Sequence, residues 1–245
     1  MTGARESERK NPLFLDAFAR QLAGERGVQI AKATPFHEKH SWSWVTRTYL
    51  FDRIISDQVA QGADMVVNLA ASLDARPYRM QLPSRKSCSS QRSPYASWSG
   101  CVRTCLMLRF GVRCWAGLPG ERRSSLVITE GLLIYLRAEE VSALAEDLKS
   151  FAVFKRWVLD IVSPGLLRML QKNTQQQFGS EVPPLQFAPE DGPAFSTRHG
   201  WNPLEVHSVL KSVAGLKRLS FLMRLVALLP ENPNHSGSRP WVFAC

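Results

Sequence analysis

Residues 65–80, MVVNLAASLDARPYRM, constrain the fold more than any other stretch of the chain. Met65, Val66, Val67 and Leu69 form a short uncharged run with β-branched members. That is the pattern of a strand buried on both faces of a parallel sheet. The run then dissolves into Ala70, Ala71 and Ser72, followed by Leu73 and Asp74. In open α/β sheets ligands lie outside the carboxyl ends of the strands, and a turn of small residues with an acid is how such a site reads. An ordinary exit from strand to loop would read the same way, so these residues alone leave both readings open.

The remaining chain alternates strand and helix patterns. Leu126–Glu130 (LVITE) and Trp157–Val162 (WVLDIV) read as further parallel strands. Asn11-Pro12 predicts a helix start, with Leu13, Phe14, Ala17, Phe18 and Leu22 at helical spacing up to Gly24. Residues 25–44 read as irregular, and Thr46 to Gln61 as a helix that places Arg47 near its start. Helices are also expected over Glu139–Ser150, from Pro164 onward, and from Asn202-Pro203 through Val213. The Pro- and Gly-rich residues 179–200 read as a long loop or lid. Trp241–Ala244 reads as an edge strand after Pro240. The whole predicts an α/β protein, a mostly parallel sheet doubly wound with helices on both faces, in a single domain spanning 1–245.

A chain of 245 residues can bury one large core without a second domain. Residues 1–11 are polar and no apolar run approaches the roughly 18 residues of a membrane span, so a cytoplasmic location is expected, with no membrane partner. The net charge of +10 would suggest nucleic acid. Its distribution argues otherwise. Between Ser84 and Arg123 eight basic residues face Glu121 alone, so this segment supplies +7 of the +10 and the remainder is nearly balanced. Four of the five cysteines (Cys88, Cys101, Cys105 and Cys114) lie here too, at spacings unlike a zinc site, and read as free thiols. His37 and His40 have no third ligand at useful spacing, so no metal is expected.

The strings VVNLAASLDARPYRMQLP and VITEGLLIYLRAEEV carry a resemblance. The chain resembles the leucine carboxyl methyltransferase family, a bacterial branch of class I S-adenosylmethionine-dependent methyltransferases, in which they read VVNLGAGLDTRPYRL and ITEGLLMYL. NPLFLDAFARQLAG, TRTYLFDRII, PGLLRML, FAPEDGPAFSTRHGWNP and LLPENP agree as well, so the resemblance covers about residues 9–83 and 121–245. It implies the seven-stranded, Rossmann-like methyltransferase sheet and S-adenosyl-L-methionine as cofactor. By position, Ala70, Ala71, Ser72 and Asp74 would form the turn around the methionine half of the cofactor. Arg47 would pair with its carboxylate, and Glu130 and Tyr135 would line the pocket near its amino acid end.

The chain departs from the family in two places. Ala70 and Ser72 replace the two turn glycines, and a Cβ in a left-handed conformation costs roughly 1–2 kcal/mol. Residues 84–120 match nothing in the family, lack any acid, and interrupt the region of the second strand and its ribose-binding carboxylate. An abrupt loss and return of family character is what a shifted reading frame would produce. The function implied is an O-methyltransferase acting on a small carboxylate or hydroxyl metabolite. The alternative is a family remnant with a disabled cofactor site. A carboxylate acceptor needs no base at neutral pH. His199 and His207 are the candidates if a hydroxyl acceptor needs one, and both read first as structural or surface residues. The oligomeric state leaves no trace in the sequence.

Overall fold

The computed structural model describes residues 1–34, 40–71, 74–80, 82, 102–105 (backbone only), 124–179, 183–216, 218–219, 227 and 240–245. β1, Met65–Leu69, is buried along its whole length, as its uncharged run requires. Its neighbours are parallel: β2 (Val102–Cys105) on one side and β3 (Ser125–Thr129) on the other. β3 pairs in parallel with β4 (Phe154–Val162). β6 (Pro240–Ala244) then runs antiparallel to both β4 and β5 (Glu205–Ser208). The order is β2-β1-β3-β4-β6-β5. The described residues thus form a mostly parallel sheet of six strands rather than seven, with one strand reversed.

Side chains alternate across each strand, so the sheet builds two cores. Met65, Val67, Leu69, Val127, Trp157, Leu159 and Phe243 face one side. There α5 (Ala138–Ser150) covers them with Val141, Ala145 and Leu148. Val66, Leu126, Ile128, Val158, Val242 and Ala244 face the other side. There α3 (Ser41–Ala60) covers them with Leu50, Phe51, Ile54 and Ile55, spaced as one helical stripe. Helices therefore lie on both faces. The buried Trp157 ring donates Nε1–H to Thr129 Oγ1 at 3.0 Å and packs edge-on to Trp201. Local chemistry sets the helix starts. Ser163 Oγ accepts Leu166 N–H ahead of α6, Pro164–Phe178, whose first residue is proline. In α5 the Glu140 carboxylate accepts the Arg137 N–H at 2.9 Å.

Several expectations are corrected. Asn11-Pro12 starts no helix: beyond α1 (Thr2–Ser7), the next helix is α2 (Ala19–Ala33), kinked at Gly24 rather than ending there. The intervening amides are taken by side chains, Leu13 N–H by Glu6 Oε1, Asp16 N–H by Ser7 Oγ, and Phe18 and Ala19 N–H by Asp16 Oδ1. Residues 25–33 are accordingly helical, α3 starts at Ser41 rather than Thr46, and His37 lies outside the described residues. Asn202-Pro203 precedes a strand; the helix there is the short α7, Val209–Gly215, capped by Ser208 Oγ on Lys211 N–H. Pairing with β6 overrides the local helix signal. β6 is itself interior, not an edge, with Val242, Phe243 and Ala244 fully buried and Pro240 tolerated as its first residue. Residues 183–200 are no simple lid, because Phe187 and Phe195 are buried in the core beside a 3-10 turn over Gly192–His199. Cys88, Cys101 and Cys114 lie outside the described residues.

Candidate functional site

The chain leaves β1 for β2 on one side of it and continues to β3 on the other. This reversal makes the carboxyl ends of β1 and β3 a switch point, where open α/β sheets hold their ligands. Register fixes what meets there. Asn68 lies beside Ile128 and Thr129 beside Leu159, so Ala70, Glu130 and Asp160 reach one end of the sheet together. A cavity of about 460 Å³ opens at this end, within the usual range for a small-molecule site. Arg47, Asn68, Ala70, Ala71, Asp74, Arg76, Arg79 and Glu130 line it from the sheet side, and Phe14, Leu22, Ala23 and Trp44 from the helical side.

A continuous ion network forms its floor. Arg76, in the one-turn helix α4 (Arg76–Arg79), is 5% exposed. Its Nε donates to Asp52 Oδ1 at 2.7 Å, and its Nη1 lies 2.6 Å from Glu130 Oε2 and 3.2 Å from Asp74 Oδ2. Arg79 forks onto both oxygens of Asp52 at 2.5 and 2.7 Å. Asp74 also accepts from Asn68 Nδ2 at 2.7 Å. Arg47, 27% exposed, donates Nε to Glu130 Oε1 at 3.2 Å and Nη1 to Asp160 Oδ2 at 3.3 Å. Asp160 Oδ1 accepts the Gly131 N–H at 2.6 Å. Gly131 has φ +64°, and a Cβ there would stand 3.3 Å from Arg47 Nη1, so a side chain at 131 would be strained and would crowd the guanidinium.

Burial and pairing move the two carboxyls apart. Burial pushes Glu130 up, but Arg76 and Arg47 outweigh it and hold Glu130 below the usual carboxylate range. Burial pushes Asp160 up as well, and Arg47 and the Gly131 N–H offset only part, leaving it above that range. For Arg47 burial disfavours the cation, while Asp160 and Glu130 raise its pKa above the ordinary value. The same competition, with Glu130, Asp74 and Asp52 as partners, raises Arg76.

Of the sequence-predicted site residues, Arg47, Ala70, Ala71, Asp74 and Glu130 therefore line one cavity. Tyr135 does not; the residue is 42% exposed and its carbonyl accepts from Gln186 Nε2. Ser72 lies outside the described residues. His199 pairs with Glu146, and His207 with Glu205 and Arg53, both away from this cavity. Sequence reasoning missed Asn68, Arg76 and Asp160. Each carried a signal: a polar residue inside an apolar strand, an arginine beside the acid of the turn, and an acid within WVLDIV. β2 ends at Cys105, and the sequence holds no acid from there to Gly120. Among the described residues no group of three or more His, Cys, Asp or Glu could hold a metal, and no helix is long and apolar enough to cross a membrane.

Ala70 is, among the described residues, the non-glycine residue with positive φ, at +54°. It follows Leu69 directly and precedes the turn in which Asp74 N–H bonds Ala71 O at 2.9 Å. Ala70→Gly removes the Cβ penalty and is expected to stabilise the fold by about 1 kcal/mol. Thermal unfolding should read this as a rise in Tm of roughly 2–4 °C. An unchanged or lowered Tm would show the bend to be unstrained.

A mostly parallel α/β sheet with a charged crevice at its switch point is a scaffold of the kind that holds ligands there. The model of the family described as leucine carboxyl methyltransferase matches residues 1–88. A Streptomyces avermitilis protein named "Putative S-adenosyl-L-methionine-dependent methyltransferase" is 26% identical, covering 88% of this chain and 84% of that one. A Frankia alni protein of the same name is 30% identical and covers 58% of this chain, which spans 59% of that relative. Among solved structures, one titled as a putative methyltransferase from Thermobifida fusca aligns with a TM-score of 0.51 at 12% identity, over 90% of this chain and 88% of that one, a likeness of fold. The likeness to the leucine carboxyl methyltransferase family thus covers residues 1–88, and both relatives are named as S-adenosyl-L-methionine-dependent methyltransferases.

Proposed function

We propose that the protein is an S-adenosyl-L-methionine-dependent O-methyltransferase acting on a small carboxylate or hydroxyl metabolite. The match of residues 1–88 to a methyltransferase family model and the likeness to relatives named as S-adenosyl-L-methionine-dependent methyltransferases support methyl transfer from this cofactor. The observation that carries the reading is the meeting of Arg47, Glu130, Asp74 and the Ala70 bend in one cavity at the ends of β1 and β3. The residues present fit the amino acid end of the cofactor, which carries both a carboxylate and an ammonium. Arg47 offers a partly exposed guanidinium for the first, and Glu130 and Asp74 supply negative charge for the second.

When bound, S-adenosyl-L-methionine supplies a methyl group already activated on a sulfonium sulfur. The protein's contribution is orientation and exclusion of water, worth up to ~7–11 kcal/mol in favourable systems. Arg47 would fix the carboxylate through charge-assisted hydrogen bonds. Glu130, kept ionised by Arg76 and Arg47, would hold positive charge beside it. Phe14, Leu22 and Trp44 would close the helical side against water. For a carboxylate acceptor no residue has to remove a proton.

Calorimetric titration with S-adenosylhomocysteine tests the cofactor site, with a dissociation constant expected between about 1 μM and 1 mM. Transfer of labelled methyl to a panel of small acids and alcohols tests the acceptor. A base-labile product marks an ester and so a carboxylate acceptor; a base-stable one marks an ether. A folded protein that binds no S-adenosylhomocysteine would be the family remnant instead.

A further inference from the structure

Arg47 serves two carboxylates that are unequally supported. Glu130 has a second guanidinium, Arg76 Nη1 at 2.6 Å. Asp160, among the described residues, has Arg47 as its cationic partner and the Gly131 N–H at 2.6 Å as its other hydrogen bond. The groups facing it are Arg47 from α3 and Glu130 with Gly131 from the exit of β3, with Arg76 of α4 reaching Glu130 behind them. On its other flank β6 places the apolar Val242 in register. Asp160 is 11% exposed, so it cannot exchange Arg47 for bulk water.

Arg47 also faces the cavity. An incoming carboxylate would compete for the guanidinium with the acid that has the fewest alternatives. Three anions around one cation inside a cleft repel, and a buried carboxylate that loses its cation neutralises rather than stays charged. We propose that Asp160 is a proton-linked positioning residue: it holds Arg47 until a ligand carboxylate takes that guanidinium, then takes up one proton from solvent while keeping the Gly131 N–H. The step is a simple protonation, carboxylate plus solvent proton giving carboxylic acid. A protonated oxygen on the Arg47 side donates, so it no longer repels an anion lodged beside it. Burial already pushes this carboxyl up while Arg47 pulls it down, and losing that pull raises it further. The inference rests on the reading that Arg47 receives the cofactor's carboxylate.

The consequence is an affinity that falls as pH rises between the free and the ligand-bound pKa of Asp160, by up to about tenfold per pH unit. The test is calorimetry of S-adenosylhomocysteine binding in buffers of different ionisation enthalpy, below about pH 7, where an α-amino group stays protonated. Wild type is expected to take up a fraction of a proton that approaches one within that window. 5′-Methylthioadenosine, which lacks the amino acid end, should bind with none. Asp160→Asn can still accept the Gly131 N–H but has no proton to gain, so its uptake should vanish and its affinity become flat with pH. Wild-type binding without proton uptake, or uptake undiminished in Asp160→Asn, overturns the proposal and leaves the cofactor reading standing. Wild type that binds no S-adenosylhomocysteine overturns that reading and the proposal with it. Should Asp160→Asn fail to fold, the wild-type proton count with the two ligands still decides.

Discussion

Arg76→Met is expected to destabilise the fold by about 3–5 kcal/mol, the cost of breaking a buried ion pair by removing one partner. For a domain of this size that is a Tm loss of roughly 6–20 °C, against a total stability of only about 5–15 kcal/mol. Arg76 touches Asp52, Glu130 and Asp74. Asp52 would keep Arg79 and Glu130 would keep Arg47. Asp74 would be left with Asn68 Nδ2 and the backbone N–H of residue 76, both neutral donors. The guanidinium also lies 5.5 Å from the centre of the Phe51 ring, so its removal opens space in the core under α3. Arg76→Lys keeps the charge but cannot span three acceptors, and an intermediate loss is expected.

The same variant should shift the response to acid. Glu130 has a lowered pKa when folded, so its contribution is present above the ordinary carboxylate range and disappears as pH falls through the folded value. Without Arg76 that value rises, and acid unfolding should begin at higher pH. Thermal and acid unfolding followed by circular dichroism measure both. A Tm within about 2 °C of wild type would mean that the network is worth no more than a set of surface pairs.

Much of this architecture was legible because burial on a sheet leaves a simple pattern. β1 and β3 are uncharged runs with β-branched members, β4 carries the apolar run Trp157–Leu159 with Ile161 and Val162, and α5 and α6 carry helical spacing with acids or Ser-Pro at their starts. Reading failed where a distant partner decides the local structure. Glu205–Ser208 follows a good helix start, yet it is a strand because β6 offers it an edge. β6 looks like a terminal strand but is enclosed by β4 and β5. At the site, Arg47, Ala70, Ala71, Asp74 and Glu130 could be named from strings that resemble a family. Asp160 and Arg76 carried a local signal too slight to single them out, because their importance lies in hydrogen bonds spanning 29 and 24 residues, to Gly131 and Asp52. Tyr135 lies only five residues from Glu130 yet is not among the residues lining the cavity, and the 3-10 turn Leu133–Tyr135 leaves it 42% exposed.

Arg47→Met should invert the balance seen at Arg76, costing binding more than stability. Truncating one partner of a buried charged hydrogen bond costs about 2–5 kcal/mol. The dissociation constant for S-adenosylhomocysteine should therefore rise on the order of 100-fold. Stability should suffer less, because Glu130 keeps Arg76 at 2.6 Å and Asp160 keeps the Gly131 N–H and can take a proton. Arg47→Lys retains a point charge without the fork and should recover only part of the affinity. 5′-Methylthioadenosine supplies the discriminating control, since a ligand with no carboxylate has nothing to lose at Arg47. If its affinity falls as far as that of S-adenosylhomocysteine, Arg47 acts by holding Glu130 and Asp160 apart, and the anion-receiving role passes to another side chain of the cavity. If only the carboxylate-bearing ligand is weakened, the guanidinium touches that group, because a general loosening of the cavity would penalise both ligands alike.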